Sequence, residues 1–549
     1  MPRPRADTSA RAFAELAGRY IRQKSQVFPH WASAMGLADF NDQLGPNNPA
    51  THRDFGSFVQ SILQELEAIP ASALGSEDRL DRRALLAHLR TEDLDLRVLR
   101  RWQTNPQEHC DVAIQCLFDL AMRHSDQLRR IAPALLARLG EIPRFLREGA
   151  SCLDRPVPLW TRLAGRTCEG AVAFLAGLER ELAPLVRNPA DLARRVRAAS
   201  RAFLQYRSAT VRCRPGPAGA FAVGTEAFEF LVRERTGLPH TARELAAEGE
   251  YHVARIHGEL EREARKFRLG SAADCVLALR AAWDPGKQPL LELYRETTGQ
   301  LRGKVVSTGL AAIPEGERLR VLPVPDFLRH QFPTAAYTAP PPWARRQDGI
   351  FWVNDLSLAV RDKDRRLAEQ RQHFGLGLTC AHEGYPGHHL QFAVQNRHPS
   401  RLRRMFAHAI AYEGWTLWCE RLCVDLDLVT GPHTRLLQLH DSLWRAHRIV
   451  LDCGLQTGAL SYQAACRRLE MGVGFTRARA AADVNWYTAA PTVPLSYLMG
   501  RLEVEKLHRT RVEQSGWTLR EFHDWFLGFG AIPSAWIVEE FGLPPASPG

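Results

Sequence analysis

The chain has 549 residues, 45% of them hydrophobic and 24% charged, with a net charge of +11. That balance suits a globular protein with a large core and excludes a disordered chain. The positive charge comes from 66 Arg against 6 Lys, placed singly or in pairs such as Arg100–Arg101 and Arg365–Arg366, and not gathered with aromatics into the basic face that nucleic acid would require.

Helical periodicity dominates in chain order. Residues 10–25 place Phe13, Leu16, Ala17 and Tyr20 on one face. Residues 51–68, with Thr51 read as the N-cap, bury Phe55, Phe58, Ile62 and Leu66. Thr241 and Glu244 form a capping box that opens a helix to about Arg268, and Thr518 with Glu521 opens the last substantial helix. Strand character is confined to Val321–Leu328 and Gly349–Val353, with a stiff Ala339–Trp343 loop between them. The expected architecture is all-α with a small β element, one helical body over 1–549 in two lobes.

No Gly/Ser tract or repeat divides the halves. No apolar run reaches 18 residues, so no membrane span is expected. The basic N-terminus runs straight into an amphipathic pattern without an apolar signal core. Eleven scattered Cys read as reduced thiols. A cytoplasmic location is expected; oligomeric state is not set by the sequence.

The chemistry concentrates at 382–391, His-Glu-Gly-Tyr-Pro-Gly-His-His-Leu-Gln. At this composition, His-acid-x4-His should arise about 0.08 times by chance. Zinc hydrolysis needs neutral nitrogen donors, a carboxylate ligand and a base beside them. The usual helical spacing puts two His at i and i+4, but here that position is Pro386, which breaks the helix. A Pro-Gly bulge is therefore expected to return His388 to the second-ligand position beside His382. His389, at i+7 and about 10 Å along an unbroken axis, is the alternative ligand, and otherwise a neighbouring or substrate contact. A third ligand is expected from 411–420, where Glu413 and Glu420 share a helix face; Glu413 is assigned, within metal-site helices over 378–430. Glu383 is then the general base for a water activated by one Zn2+.

The run His-Glu-x-x-Pro-Gly-His-His-Leu-Gln, with Glu413-Gly-Trp and Leu495-Ser-Tyr-x-x-Gly500 after it, resembles the bacterial family known as domain of unknown function 885. The resemblance extends from the N-terminal helices through Pro323-Val-Pro-Asp-Phe-Leu to Phe522-His-Asp. Its fold is similar to that of the helical gluzincin peptidases, such as thimet-type oligopeptidases and angiotensin-converting enzyme. This resemblance implies a deep central cleft between two lobes, metal on His382, His388 and Glu413, and Tyr497 as oxyanion donor with His523 as helper. Tyr487 and His389 are expected to contact substrate.

Where that family carries Arg-Tyr and then Pro-Gly-Gln-Ala, this chain has Trp486-Tyr487 and Pro491-Thr-Val-Pro494. Loss of those polar groups points to a changed substrate. The leading expectation is a zinc hydrolase of an amide bond in a peptide or small peptide-like metabolite. A non-haem iron enzyme, sharing two His and a carboxylate, and a catalytically silent binding member are the alternatives.

Overall fold

The computed structural model describes residues 4–324 and 334–541, which form two compact units. The first comprises residues 1–221 with 341–345, and the second residues 222–340 with 346–549.

The first unit is built from long amphipathic helices: α1 (Pro4–Val27), α2 (Pro49–Glu67), α3 (Ser76–Asp93), α4 (Pro106–Arg123), α5 (Leu128–Cys152), α6 (Pro158–Leu182) and α7 (Pro189–Arg212). Phe13, Leu16, Ala17 and Tyr20 are all buried, as their spacing predicts. Helix α2 starts earlier than expected. Asn48, not Thr51, is the cap, accepting the Thr51 N–H, with Pro49 at the first helical position, where its missing N–H costs nothing. The same Asn-Pro start recurs at Asn105 and Asn188. Val59 rather than Phe58 completes the buried stripe of α2.

The second unit opens with α8 (Thr225–Thr236), α9 (Ala242–Ala264), α10 (Ala272–Ala282) and α11 (Leu290–Ser307). Both halves of the Thr241–Glu244 capping box are present, and α9 ends at Ala264. Three strands follow: β1 (Arg318–Pro323), β2 (Ala335–Thr338) and β3 (Asp348–Val353). The central β3 pairs parallel to β1, with Leu322 opposite Trp352, and antiparallel to β2, with Tyr337 opposite Phe351. The expected strand at Val321–Leu328 is thus observed to Pro323, and its residues 325–328 lie outside the described residues.

Eight further labelled helices complete the unit: α12 (Leu376–Glu383), α13 (His388–Gln395), α14 (Ala409–Asp425), α15 (Thr434–Gln456), α16 (Tyr462–Val473), α17 (Arg477–Ala489), α18 (Val493–His508) and α19 (Leu519–Gly528). The Thr518–Glu521 capping box opens α19, and one shorter helix, Ser534–Phe541, follows it. Among the described residues no helix is long and apolar enough to cross a membrane.

The core around Trp415, Trp418, Phe522 and Phe526 joins α14 and α19 to α11, α12 and β3. Helices α14 and α18 cross at two glycines. A Cβ on Gly500 would lie 2.1 Å from the Ile410 carbonyl oxygen, and one on Gly414 would lie 2.4 Å from the Gly500 carbonyl carbon. No side chain other than hydrogen fits, so backbone packs on backbone, and the neighbours Glu413 and Tyr497 are drawn together.

Candidate metal centre

Helix α12 stops at Glu383, and α13 begins at His388. Between them Gly384, Tyr385, Pro386 and Gly387 turn the chain back, with a cis bond at Tyr385–Pro386. The turn is tight enough that a Cβ on Gly387 would sit 1.9 Å from the His382 carbonyl oxygen. This is the bulge inferred from sequence, and it places the His388 ring at right angles to that of His382 with centroids 4.8 Å apart. Trp415 Nε1 donates to the Pro386 carbonyl at 2.9 Å, which pins the loop to α14.

Helix α14 delivers the carboxylate. Glu413 Oε2 lies 3.5 Å from His382 Nε2 and 3.6 Å from His388 Nε2. One ligand atom from each residue falls within 4.8 Å of the others. These gaps are long for hydrogen bonds. They match the spacing of about 3.4 Å between two atoms each ~2.1 Å from one ion at a tetrahedral angle. Glu413 Oε2 is buried without a hydrogen-bond partner, which otherwise costs free energy. The donor set of two imidazoles and one carboxylate therefore fits a divalent cation.

The surroundings complete the arrangement. His382 Nδ1 donates to Glu420 Oε1 at 2.7 Å, so the ring presents Nε2 to the centre. Burial disfavours charge on His382, but the facing Glu413 carboxylate, the hydrogen bond to Glu420 and the nearby Glu383 outweigh it and push its pKa up to about 10. Locally the site is short of positive charge. Glu413 is held well below the usual carboxylate range despite burial, because both imidazoles face it. Burial raises Glu383, with His382 and His388 opposing and Glu413 and Glu420 reinforcing. Burial and the nearby Glu413 carboxylate raise the pKa of Tyr497 well above the ordinary value. It stays a protonated donor beside the ligands.

Three expected site residues are not brought to this cluster. His389 is 1% exposed; its Nε2 donates to Glu317 at 2.6 Å, and its Nδ1 accepts from the Tyr337 hydroxyl at 3.2 Å. Both nitrogens are occupied, so it is neither ligand nor substrate contact but a brace for the loop, shared with Tyr385, whose hydroxyl also donates to Glu317. His523 is a correction too. It is fully buried, donating through Nδ1 to the Leu310 carbonyl and accepting at Nε2 from Trp418, and burial lowers its pKa to about 4. Tyr487 is likewise inaccessible: its hydroxyl accepts from Arg448 Nε and Trp444 Nε1 and donates to Asp483.

The Arg448 contact brings a cation close to Trp486. Arg448, from α15, stacks 5.2 Å over Trp486, 5.4 Å over Tyr487 and 4.5 Å over Tyr497. A guanidinium thus reaches this region from another helix, at a position no local motif marks.

Residues 29–540 match the family described as "Bacterial protein of unknown function (DUF885)". The chain belongs to the DUF885 family. Its fold is similar to two solved structures. One is described as "a putative lipoprotein of unknown function" from Shewanella oneidensis, with TM-score 0.77 and 19% identity, covering 96% of this chain and 99% of that one. The other is described as "the putative lipoprotein from Colwellia psychrerythraea", with TM-score 0.75 and 18% identity, covering 97% and 98%. No curated protein matches.

Thr492 has φ +75°, a conformation that penalises a β-branched residue. Asp452 holds it there, accepting from the Thr492 and Leu495 N–H groups at the start of α18. Thr492→Gly is expected to stabilise the protein by about 0.5–1 kcal/mol, strain relief exceeding the added chain entropy. A rise in denaturation midpoint at constant slope would show it.

Proposed function

We propose that this protein is a zinc-dependent hydrolase of an amide bond in a peptide or small peptide-like metabolite, working in a gluzincin-like cleft. The observation that carries the reading is the convergence of His382 Nε2, His388 Nε2 and an unpartnered Glu413 Oε2 beside Glu383. One Zn2+ held by those three residues supplies Lewis acidity to the site.

The protein's own groups do the rest. Glu383, adjacent in sequence to a ligand and raised by burial, takes the proton of the attacking water and passes it to the leaving amine. Tyr497, protonated throughout the neutral range, donates to the oxyanion that forms as the carbonyl becomes tetrahedral. Glu420 fixes the His382 tautomer and ring orientation. A carboxylate placed after a ligating His is what hydrolysis requires and iron oxygen chemistry does not. We place the protein in the cytoplasm on its eleven free thiols.

Elemental analysis of full-length protein purified without added metal tests the reading. One zinc per chain is expected, lost in His388→Ala and retained in His389→Ala; iron at that stoichiometry, or no metal at all, overturns it. Amide hydrolysis should vanish on chelation and return with zinc. Glu420→Gln removes only the outer carboxylate, so zinc affinity should fall about 10–100-fold, as competition with a chromogenic chelator would read.

A further inference from the structure

Beside Glu383 and His382 lies a cavity of about 170 Å3, also lined by Arg280, His440, Asp441 and Arg445. Sites for drug-sized ligands occupy about 300–1,000 Å3; this one suits a fragment the size of a single residue.

Its charges are unevenly committed. Glu420 is taken by His382 Nδ1. Asp441 lies 3.5 Å from His440 Nδ1 and 3.7 Å from Arg445 Nη1. Arg445 makes only long ion pairs, to that Asp441 oxygen and to Glu420 Oε1 at 4.0 Å, and one 3.4 Å hydrogen bond to the Asp441 carbonyl. It is 9% exposed, and its Nε has no hydrogen-bond partner; Arg280 Nε, on the same cavity, also has none. A buried guanidinium so weakly paired is costly unless a ligand supplies the missing anion.

Position adds direction. Arg445 stacks 4.1 Å over Trp444 and 5.9 Å over Tyr497, the oxyanion donor of the proposed reaction. The Glu420 oxygen it approaches is the one holding His382 at 2.7 Å. Arg445 is thus joined to the ligand His382 through one shared carboxylate oxygen, on the same cavity as Glu383. A planar guanidinium pairs with a carboxylate through two parallel N–H bonds.

We infer that Arg445, assisted by Arg280, binds a free carboxylate in this cavity, so that the substrate is a short peptide or N-acyl amino acid ending beside Glu383. This rests on the hydrolase reading for the reaction but not for the binding.

Titration calorimetry on chelator-treated full-length protein, with N-acetylalanine and its primary amide as probes, separates the two readings. The acid should bind at least 30-fold more tightly than the amide. Arg445→Gln should bring the two within threefold of each other, and Arg445→Lys should keep an intermediate preference. Equal binding, no binding of either probe, or a preference that survives Arg445→Gln overturns the inference. The unsubstituted comparison decides even if Arg445→Gln fails to fold. Amide hydrolysis without carboxylate preference would sink this inference and leave the hydrolase standing. Arg445-dependent acid binding in a protein that holds no zinc would do the reverse.

Discussion

Glu383→Gln is expected to keep the metal and lose turnover, with kcat/KM falling about 10²- to 10⁴-fold. The substitution preserves shape and hydrogen-bonding capacity but removes the proton acceptor, and a positioned general base contributes that range. Metal binding should be spared because the ligands are His382, His388 and Glu413, whose atoms cluster without Glu383. Stopped assays on zinc-loaded protein, with metal content measured on the same sample, check both halves. Full activity in a metal-replete Glu383→Gln protein would eliminate the mechanism. A fall in activity that tracks metal loss would mean that Glu383 acts as a ligand.

The cluster of His382, His388 and Glu413 was legible in the sequence because local rules were decisive there. Pro386 at i+4 rules out the continuous helix, and Gly387 is the residue the turn demands, since any Cβ would strike the His382 carbonyl. The same reasoning selects His388 over His389. Glu420 was visible as a helix-face neighbour of Glu413, seven residues on, and the structure gives it the outer bond to His382.

What the sequence hid depends on which faces of distant helices meet. His523 was expected at the site, yet α19 packs against the side of α14 that carries Trp418. Trp418 is five residues from Glu413, roughly 140° around the helix, so His523 faces away from the ligands. Arg445 and Arg448 were invisible for the opposite reason. In a chain with 66 Arg, two more on an amphipathic helix carry no signal until α15 is seen beside Tyr497. Tyr487, read as a substrate contact, instead holds Arg448 in place. Fold class followed from periodicity, whereas the pairing of the units' helices did not.

Gly500→Ala is expected to be a strongly damaging small substitution outside the ligands, costing about 3 kcal/mol or more. The added methyl would lie 2.1 Å from the Ile410 carbonyl oxygen and 2.8 Å from Gly414 Cα. Neither is a side chain that can rotate away, so α14 and α18 must separate, and overpacking of this kind costs 1–3 kcal/mol even where side chains can give. For a unit of this size the melting temperature should drop by about 4 °C. The functional consequence is separable from stability. Glu413 adjoins Gly414 on α14, and Tyr497 lies one turn before Gly500 on α18, so prying the crossing open pulls the oxyanion donor away from the ligand carboxylate. Below the new melting temperature, Gly500→Ala should therefore retain its zinc but show a reduced kcat with KM little changed, because the lost contact matters in the transition state. Ala introduced at the exposed Gly303 of α11, where a Cβ meets nothing within 4 Å, should leave melting temperature and kcat unchanged or slightly raised. If Gly500→Ala matches that control in both measurements, the close crossing of α14 and α18 is not what sets the Glu413–Tyr497 geometry.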